Sequence, residues 1–69
     1  MTSHLTDITA RWQIDHSLRD MVPDITALEW QNVPGGIEAD TGLSMIRVDA
    51  DDIVITNKRF GSKIRIPLK

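Results

Sequence analysis

The chain has 69 residues, of which 41% are apolar and 26% are charged, with a net charge of −2 and no cysteine. A chain of this length forms one small domain, because a single core below about 80 residues supplies only about 3 to 5 kcal/mol. The composition excludes a disulfide framework, a thiolate zinc site, a disordered tail and a membrane span.

The first predicted element is a helix over residues 3–21, and its apolar residues form two stripes. Leu5, Ile8 and Trp12 follow the helical spacing i, i+3, i+7 and share one face. At about 100° per residue a second set lies on nearly the opposite face. This set contains Ile14, Leu18, Met21 and Val22. Either the helix breaks near Gln13, or it is buried on two sides, the second against another copy or another protein.

Residues 24–32 carry signals for two kinds of structure. Ala27 favours a helix that Asp24 can cap, whereas Leu28 and Trp30 alternate as they would in a strand. We expect a short second helix here. The Val-Pro-Gly-Gly sequence that follows predicts a turn, because proline cannot continue a ladder and glycine permits a positive φ.

From residue 43 onward the apolar period changes to two, which predicts strands. Turn residues divide this half into three segments, and Pro67 favours the sheet edge because proline cannot donate to a ladder. The predicted antiparallel meander spans residues 43–49, 52–57 and 62–68. With the helices packed on one face, the expected fold is α+β in a single domain of residues 1–69, mainly helical over 1–33 and a meander over 43–69.

The alternation in these strands also predicts which side chains share a face. One face buries Ile46, Ile55, Ile64 and Ile66. The opposite face then presents Arg47, Val54, Thr56, Lys63 and Arg65. We therefore expect a basic open face.

Motifs for catalysis or metal binding are weak. Ser44 lacks the final glycine of a nucleophile elbow and has no histidine after it in the chain. His16 and Asp20 have the i, i+4 spacing of a dyad, which is more typical of a solvated helix face. Residues 49–52 begin like a calcium loop but lack its glycine and its closing glutamate. We expect no enzymatic activity, no cofactor and no metal.

The C-terminal cations are the strongest candidate for a functional surface. The last 13 residues contain five cations and no acid in a chain that is otherwise acidic. The candidate binding residues are Arg47, Lys58, Arg59, Phe60, Lys63 and Arg65. An acidic protein partner is the favoured ligand and nucleic acid the alternative. The cations could instead protect a sheet edge or face the acidic half of the same or a neighbouring molecule.

A second candidate surface is apolar and predicts self-association. Trp30 is a candidate because tryptophan is enriched at interface hot spots. The second helical stripe adds Ile14, Leu18 and Met21, and the small core favours a homodimer or a stable complex. The sequence thus predicts a cytoplasmic, non-enzymatic protein-binding module. Such modules include small regulators, inhibitors and assembly subunits, among them those of phages and mobile elements.

Overall fold

The structure is a computed structural model that describes residues 4–68. Two helices, α1 (His4–Ile14) and α2 (His16–Met21), precede a 3₁₀ turn at Ile25–Ala27. The five strands are β1 (Gln31–Val33), β2 (Gly36–Asp40), β3 (Ser44–Asp49), β4 (Asp52–Asn57) and β5 (Lys63–Pro67). They form one antiparallel sheet in the order β1-β2-β3-β4-β5, so the fold is α+β.

The N-terminal helix is broken at Asp15. This residue has an extended backbone, with φ of −105° and ψ of 106°, and its side chain accepts a hydrogen bond from the Leu18 N–H at 3.0 Å. Asp15 is therefore the N-cap of α2. The change of direction allows Ile8 and Leu18, both fully buried, to enter the same core. The broken-helix alternative is confirmed, and the predicted start at residue 3 lies outside the described residues.

The segment at residues 24–32 differs from the prediction. Asp24 caps it as expected, accepting a hydrogen bond from the Thr26 N–H at 3.1 Å, but only a single 3₁₀ turn follows. The chain then extends into β1, turns through Pro34 and Gly35, whose φ is +88°, and returns as β2. The prediction of three strands was therefore wrong, because this hairpin adds two strands along the free edge of β3.

The C-terminal meander agrees with the prediction to within about a residue at most ends. Strands β3, β4 and β5 pair in sequence order, with Ile46 opposite Ile55 and Ile55 opposite Ile64. β5 is an outermost strand of the sheet, which confirms the edge position expected from Pro67. This part of the chain fixes where the C-terminal cations lie.

The helices cover one face of the sheet and leave the other face open. The core lies between the helices and the covered face of the sheet. It is formed by Ile8, Leu18, Val22, Ile25, Ile37, Ile46, Val48, Ile53, Ile55 and Ile66. Trp12 packs against this core and donates its indole N–H to the Val22 carbonyl at 2.6 Å. Among residues 4–68, no helix is long and apolar enough to span a membrane.

Candidate functional site

The turn between β4 and β5 has a fixed conformation and presents exposed side chains. The Asn57 side chain accepts hydrogen bonds from the N–H groups of Arg59 and Phe60, each at 2.9 Å. The Gly61 N–H donates to the Asn57 carbonyl at 2.8 Å, and Gly61 has a φ of +73°. Phe60 is 76% exposed, and the Arg59 guanidinium lies 5.4 Å from the centre of its ring.

Lys58 connects this turn to the loop between β2 and β3. Its ammonium group forms a salt bridge with Asp40 at 2.7 Å, and its backbone N–H donates to the Leu43 carbonyl at 3.1 Å. The hydrogen bond from Lys58, followed by one from the Gly42 N–H, lowers the pKa of Asp40 below its usual value. Part of the charge of Lys58 is therefore already balanced, whereas Arg59 forms no ion pair with residues 4–68.

The remaining predicted cations lie on the open face of the sheet. Arg47 in β3 and Arg65 in β5 both lie opposite Val54 of β4. Arg47 donates to the Pro34 carbonyl at 2.7 Å, and Arg65 forms a 3.0 Å salt bridge with Asp52. The structure thus brings Arg47 and Arg65 to one face, while Lys58, Arg59 and Phe60 lie at its end.

This open face is mixed in charge, which corrects the prediction of a basic face. It forms a shallow concavity of about 590 Å³ that is lined by acidic residues as well as cations. The acids are Glu38, Asp49, Asp51 and Asp52. Sequence reasoning omitted Glu38 because β2 was not predicted. In the turn and β5, Lys58 and Arg65 are paired with acids, whereas Arg59 and Lys63 form no ion pair within residues 4–68.

An apolar groove lies next to the same hairpin on the helix-covered side. It has a volume of about 380 Å³, and Met21, Leu43 and Ile64 are among its lining residues. Ile64 is 48% exposed, so its predicted burial was wrong. Ile64 shares a face with the buried Ile66, but the short α2 and the chain at Pro23 leave the groove open above it. The alternation of apolar residues in β5 predicts the face of the sheet on which Ile64 lies. It does not predict which part of that face the helices cover.

The predicted apolar interface residues separate into buried and exposed ones. Leu18 is fully buried in the core and cannot contact a partner while the chain is folded, which corrects its assignment. Ile14 is 74% exposed and Met21 lines the groove. Trp30 is half-buried against the core, and its indole N–H donates to the Ile25 carbonyl at 3.2 Å.

The candidate catalytic residues do not assemble into a site. The His16 ring contacts the Arg19 guanidinium, and no hydrogen bond joins it to Asp20. The Ser44 backbone is held by Thr41, whose hydroxyl accepts from the Ser44 N–H at 2.9 Å. Within residues 4–68, no three His, Asp or Glu side chains are grouped so that they could hold a metal ion.

The comparisons with known proteins supply no relative. No protein-family model matches the chain, and neither the curated proteins nor the solved structures include a significant match.

Proposed function

We propose that this protein is a small non-enzymatic protein-binding module, such as a regulator, an inhibitor or an assembly subunit. It binds an acidic surface of a partner protein through the hairpin patch. The hairpin patch consists of Lys58, Arg59, Phe60, Lys63 and Arg65, with Arg47 beside it.

The observation that carries this proposal is the exposed Arg59 and Phe60 pair on a turn that Asn57 holds in place. Phe60 is 76% exposed, so a partner that covers its ring removes apolar surface from water, which favours binding. Arginine and aromatic residues are also enriched at interfaces. The Asn57 hydrogen bonds hold the backbone of Arg59 and Phe60 in place before binding, which reduces the backbone entropy lost on association.

Self-association is the second part of the proposal. The break at Asp15 lets Ile8 and Leu18 share one core, so the two stripes do not themselves require a second copy. Support comes instead from exposed apolar side chains, among them Ile14 and Leu43, on a chain with a small core. Sedimentation at micromolar concentration measures the oligomeric state of the chain directly. A dimer that Ile14→Asp dissociates is the expected result, and a monomer at all concentrations contradicts it.

The partner-binding proposal is tested by charge reversal in the turn. Once a partner has been purified, Arg59→Glu should weaken binding about tenfold or more, because it removes attraction and adds repulsion at a complementary patch. Arg19→Glu on α2 is the matched control, since it makes the same change in charge away from the hairpin. Equal affinity of the two folded variants would contradict the proposal.

Nucleic acid is the alternative ligand, because Arg59 could contact a phosphate while Phe60 stacks on a base. Labelled DNA and RNA titrated at two salt concentrations distinguish the two functions. Phosphate binding weakens by about one power of salt concentration for each phosphate neutralised. We expect no such binding at physiological salt, and a steep slope with micromolar affinity would establish the alternative.

A further inference from the structure

The outer side of β5 carries main-chain groups that no strand within residues 4–68 pairs with. The Leu68 N–H donates to the Asp51 carbonyl at 3.0 Å, and the Ser62 carbonyl accepts from Asn57 at 2.8 Å, so the even-numbered residues face β4. Successive residues in a strand turn their N–H and C=O groups to opposite sides. The amides of Lys63 and Arg65 therefore point outward. Pro67, which has no N–H, occupies the next outward position.

The side chains of β5 differ on its two faces. Lys63 and Arg65 project on the open face, where they lie opposite Thr56 and Val54. Arg65 forms a salt bridge with Asp52 of β4 at 3.0 Å, whereas Lys63 forms no ion pair within residues 4–68. Ile64 projects on the other face, where it forms one wall of the apolar groove. A strand added beside β5 would place its alternate side chains next to cations on one face and next to Ile64, which is 48% exposed, on the other.

We propose that β5 binds its partner by β-strand addition, and that the bound segment is an extended stretch of a partner protein in which acidic and apolar residues alternate. This inference rests on the proposed protein-binding function and specifies its mode. Main-chain hydrogen bonds to Lys63 and Arg65 supply affinity, and the alternating side chains supply specificity. Acidic residues meet the two cations on the open face, while an apolar residue on the other face packs against the exposed side chain of Ile64.

The cations of β5 favour a segment of a different protein over a second copy of this chain as the strand that pairs with its outer edge. In a symmetric antiparallel pair of two β5 strands, Lys63 and Arg65 of one copy would lie close to the same cations of the other. Like charges on facing strands destabilise a pair. An acidic segment replaces this repulsion with attraction, so β5 selects a partner that is different from itself.

The test uses a fluorescently labelled synthetic nonapeptide of alternating glutamate and valine, titrated with the purified full chain. Two substitutions at one position separate charge from backbone pairing. Lys63→Ala and Lys63→Pro both remove the cation, but only proline removes the outward N–H, and neither removes a hydrogen bond to β4. We expect Lys63→Pro to bind the peptide about tenfold more weakly than Lys63→Ala, the effect of one lost main-chain hydrogen bond at the upper end of its usual contribution.

A second peptide keeps the experiment decisive if Lys63→Pro fails to fold. N-methylation of alternate amides leaves the charge of the peptide unchanged, so weaker binding to the unaltered protein would support strand addition. Equal binding of both peptides, equal binding by both Lys63 variants, or no binding would overturn the inference. Dimerisation that Lys63→Pro abolishes would also overturn it in favour of a second copy. None of these outcomes decides the proposed function, which the Arg59→Glu experiment tests with the natural partner.

Discussion

Gly36 is required for the close approach of β2 to β3. A Cβ atom at this position would lie 1.8 Å from the Val48 carbonyl oxygen, and that oxygen belongs to backbone that the sheet holds in place. The glycine therefore allows the β1-β2 hairpin to join the sheet. This constraint comes from packing, since the φ of Gly36 is not positive.

We expect Gly36→Ala to lower the free energy of unfolding by about 3 kcal/mol or more, because the added methyl group overlaps backbone atoms. Gly42→Ala is the control. Gly42 has a φ of +93° with no other atom within 4 Å of the added carbon, so its cost is backbone strain of about 1 to 2 kcal/mol. Urea unfolding measures both values. A smaller loss for Gly36→Ala than for Gly42→Ala would show that β2 does not lie against β3 as described.

Asp49 connects β3 to β4 through hydrogen bonds that its side-chain carboxylate accepts. Its side chain accepts from the N–H groups of Asp52 and Asp51, each at 2.9 Å, and these bonds, with that of Asp52 the larger influence, hold its pKa below the usual 3.8. Because the folded pKa is lower than the unfolded one, the stabilisation is fully present above the unfolded pKa. It is lost as the pH falls through the folded pKa.

Acid should therefore destabilise the wild-type protein more than Asp49→Asn. The asparagine still accepts hydrogen bonds but carries no proton-dependent charge, so its stability should change less between about pH 6 and about pH 2.5. Chemical unfolding at several pH values measures this difference. Asp24 and Asp40 have lowered pKa values too, so both proteins should lose some stability. Parallel pH curves would exclude a contribution from Asp49.

Among the elements, the break between α1 and α2 determines how the helical half meets the sheet. Asp15 caps α2 and forms a 3.5 Å salt bridge with Arg11 of α1. We expect Asp15→Ala to cost about 1 kcal/mol, the usual effect of losing an N-cap, and Asp15→Asn to cost less because its amide oxygen still accepts from Leu18. Thermal unfolding compares the stabilities of Asp15→Ala and Asp15→Asn with that of the wild type. Equal stabilities of both variants and the wild type would show that the cap is dispensable.

The elements also show what sequence reasoning could establish. The meander was predictable because Ile46, Val48, Ile53 and Ile55 alternate with other residues between turn segments. The break in the N-terminal helix was one of the two arrangements that could bury apolar stripes on opposite helix faces. The β1-β2 hairpin was not predictable in the same way. β1 has three residues and no buried side chain, and the buried pair in β2 includes the small Ala39. These strands are stabilised by the pairing of β2 with β3, and the local sequence of residues 31–40 does not predict that pairing.

The candidate site was predictable in composition but not in arrangement. The C-terminal run of cations was visible in the sequence, whereas the acids that neutralise part of it come from distant positions. Asp40 reaches Lys58 from 18 residues away. The groove beside Ile64 depends on the end of α2, so it is a property of tertiary packing. Leu18 was misassigned because the direction of α2 after the break decides which side chains face the core.

At the scale of the whole molecule, the two edges of the sheet differ in charge. The groove beside β1 and the end of β2 includes Glu29, Glu38 and Asp40, whereas β5 at the opposite edge carries Lys63 and Arg65, of which only Arg65 is paired with an acid, Asp52 of β4. The net charge of −2 conceals this asymmetry. An acidic partner would be repelled by the first edge and attracted by the second, so the charge pattern orients the encounter. The central claim is that the hairpin patch is a protein-binding surface.

Site-specific photo-cross-linking in the native host tests that claim most directly. The photoreactive residue p-benzoylphenylalanine replaces Phe60 in one variant and Ile14 in another, two positions with nearly equal exposure of 76% and 74%. We predict that position 60 yields a discrete cross-link to a protein other than this chain, that Arg59→Glu abolishes it, and that position 14 does not yield it. Cross-linking of position 60 to nucleic acid, or of that same protein from position 14 alone, would contradict the account.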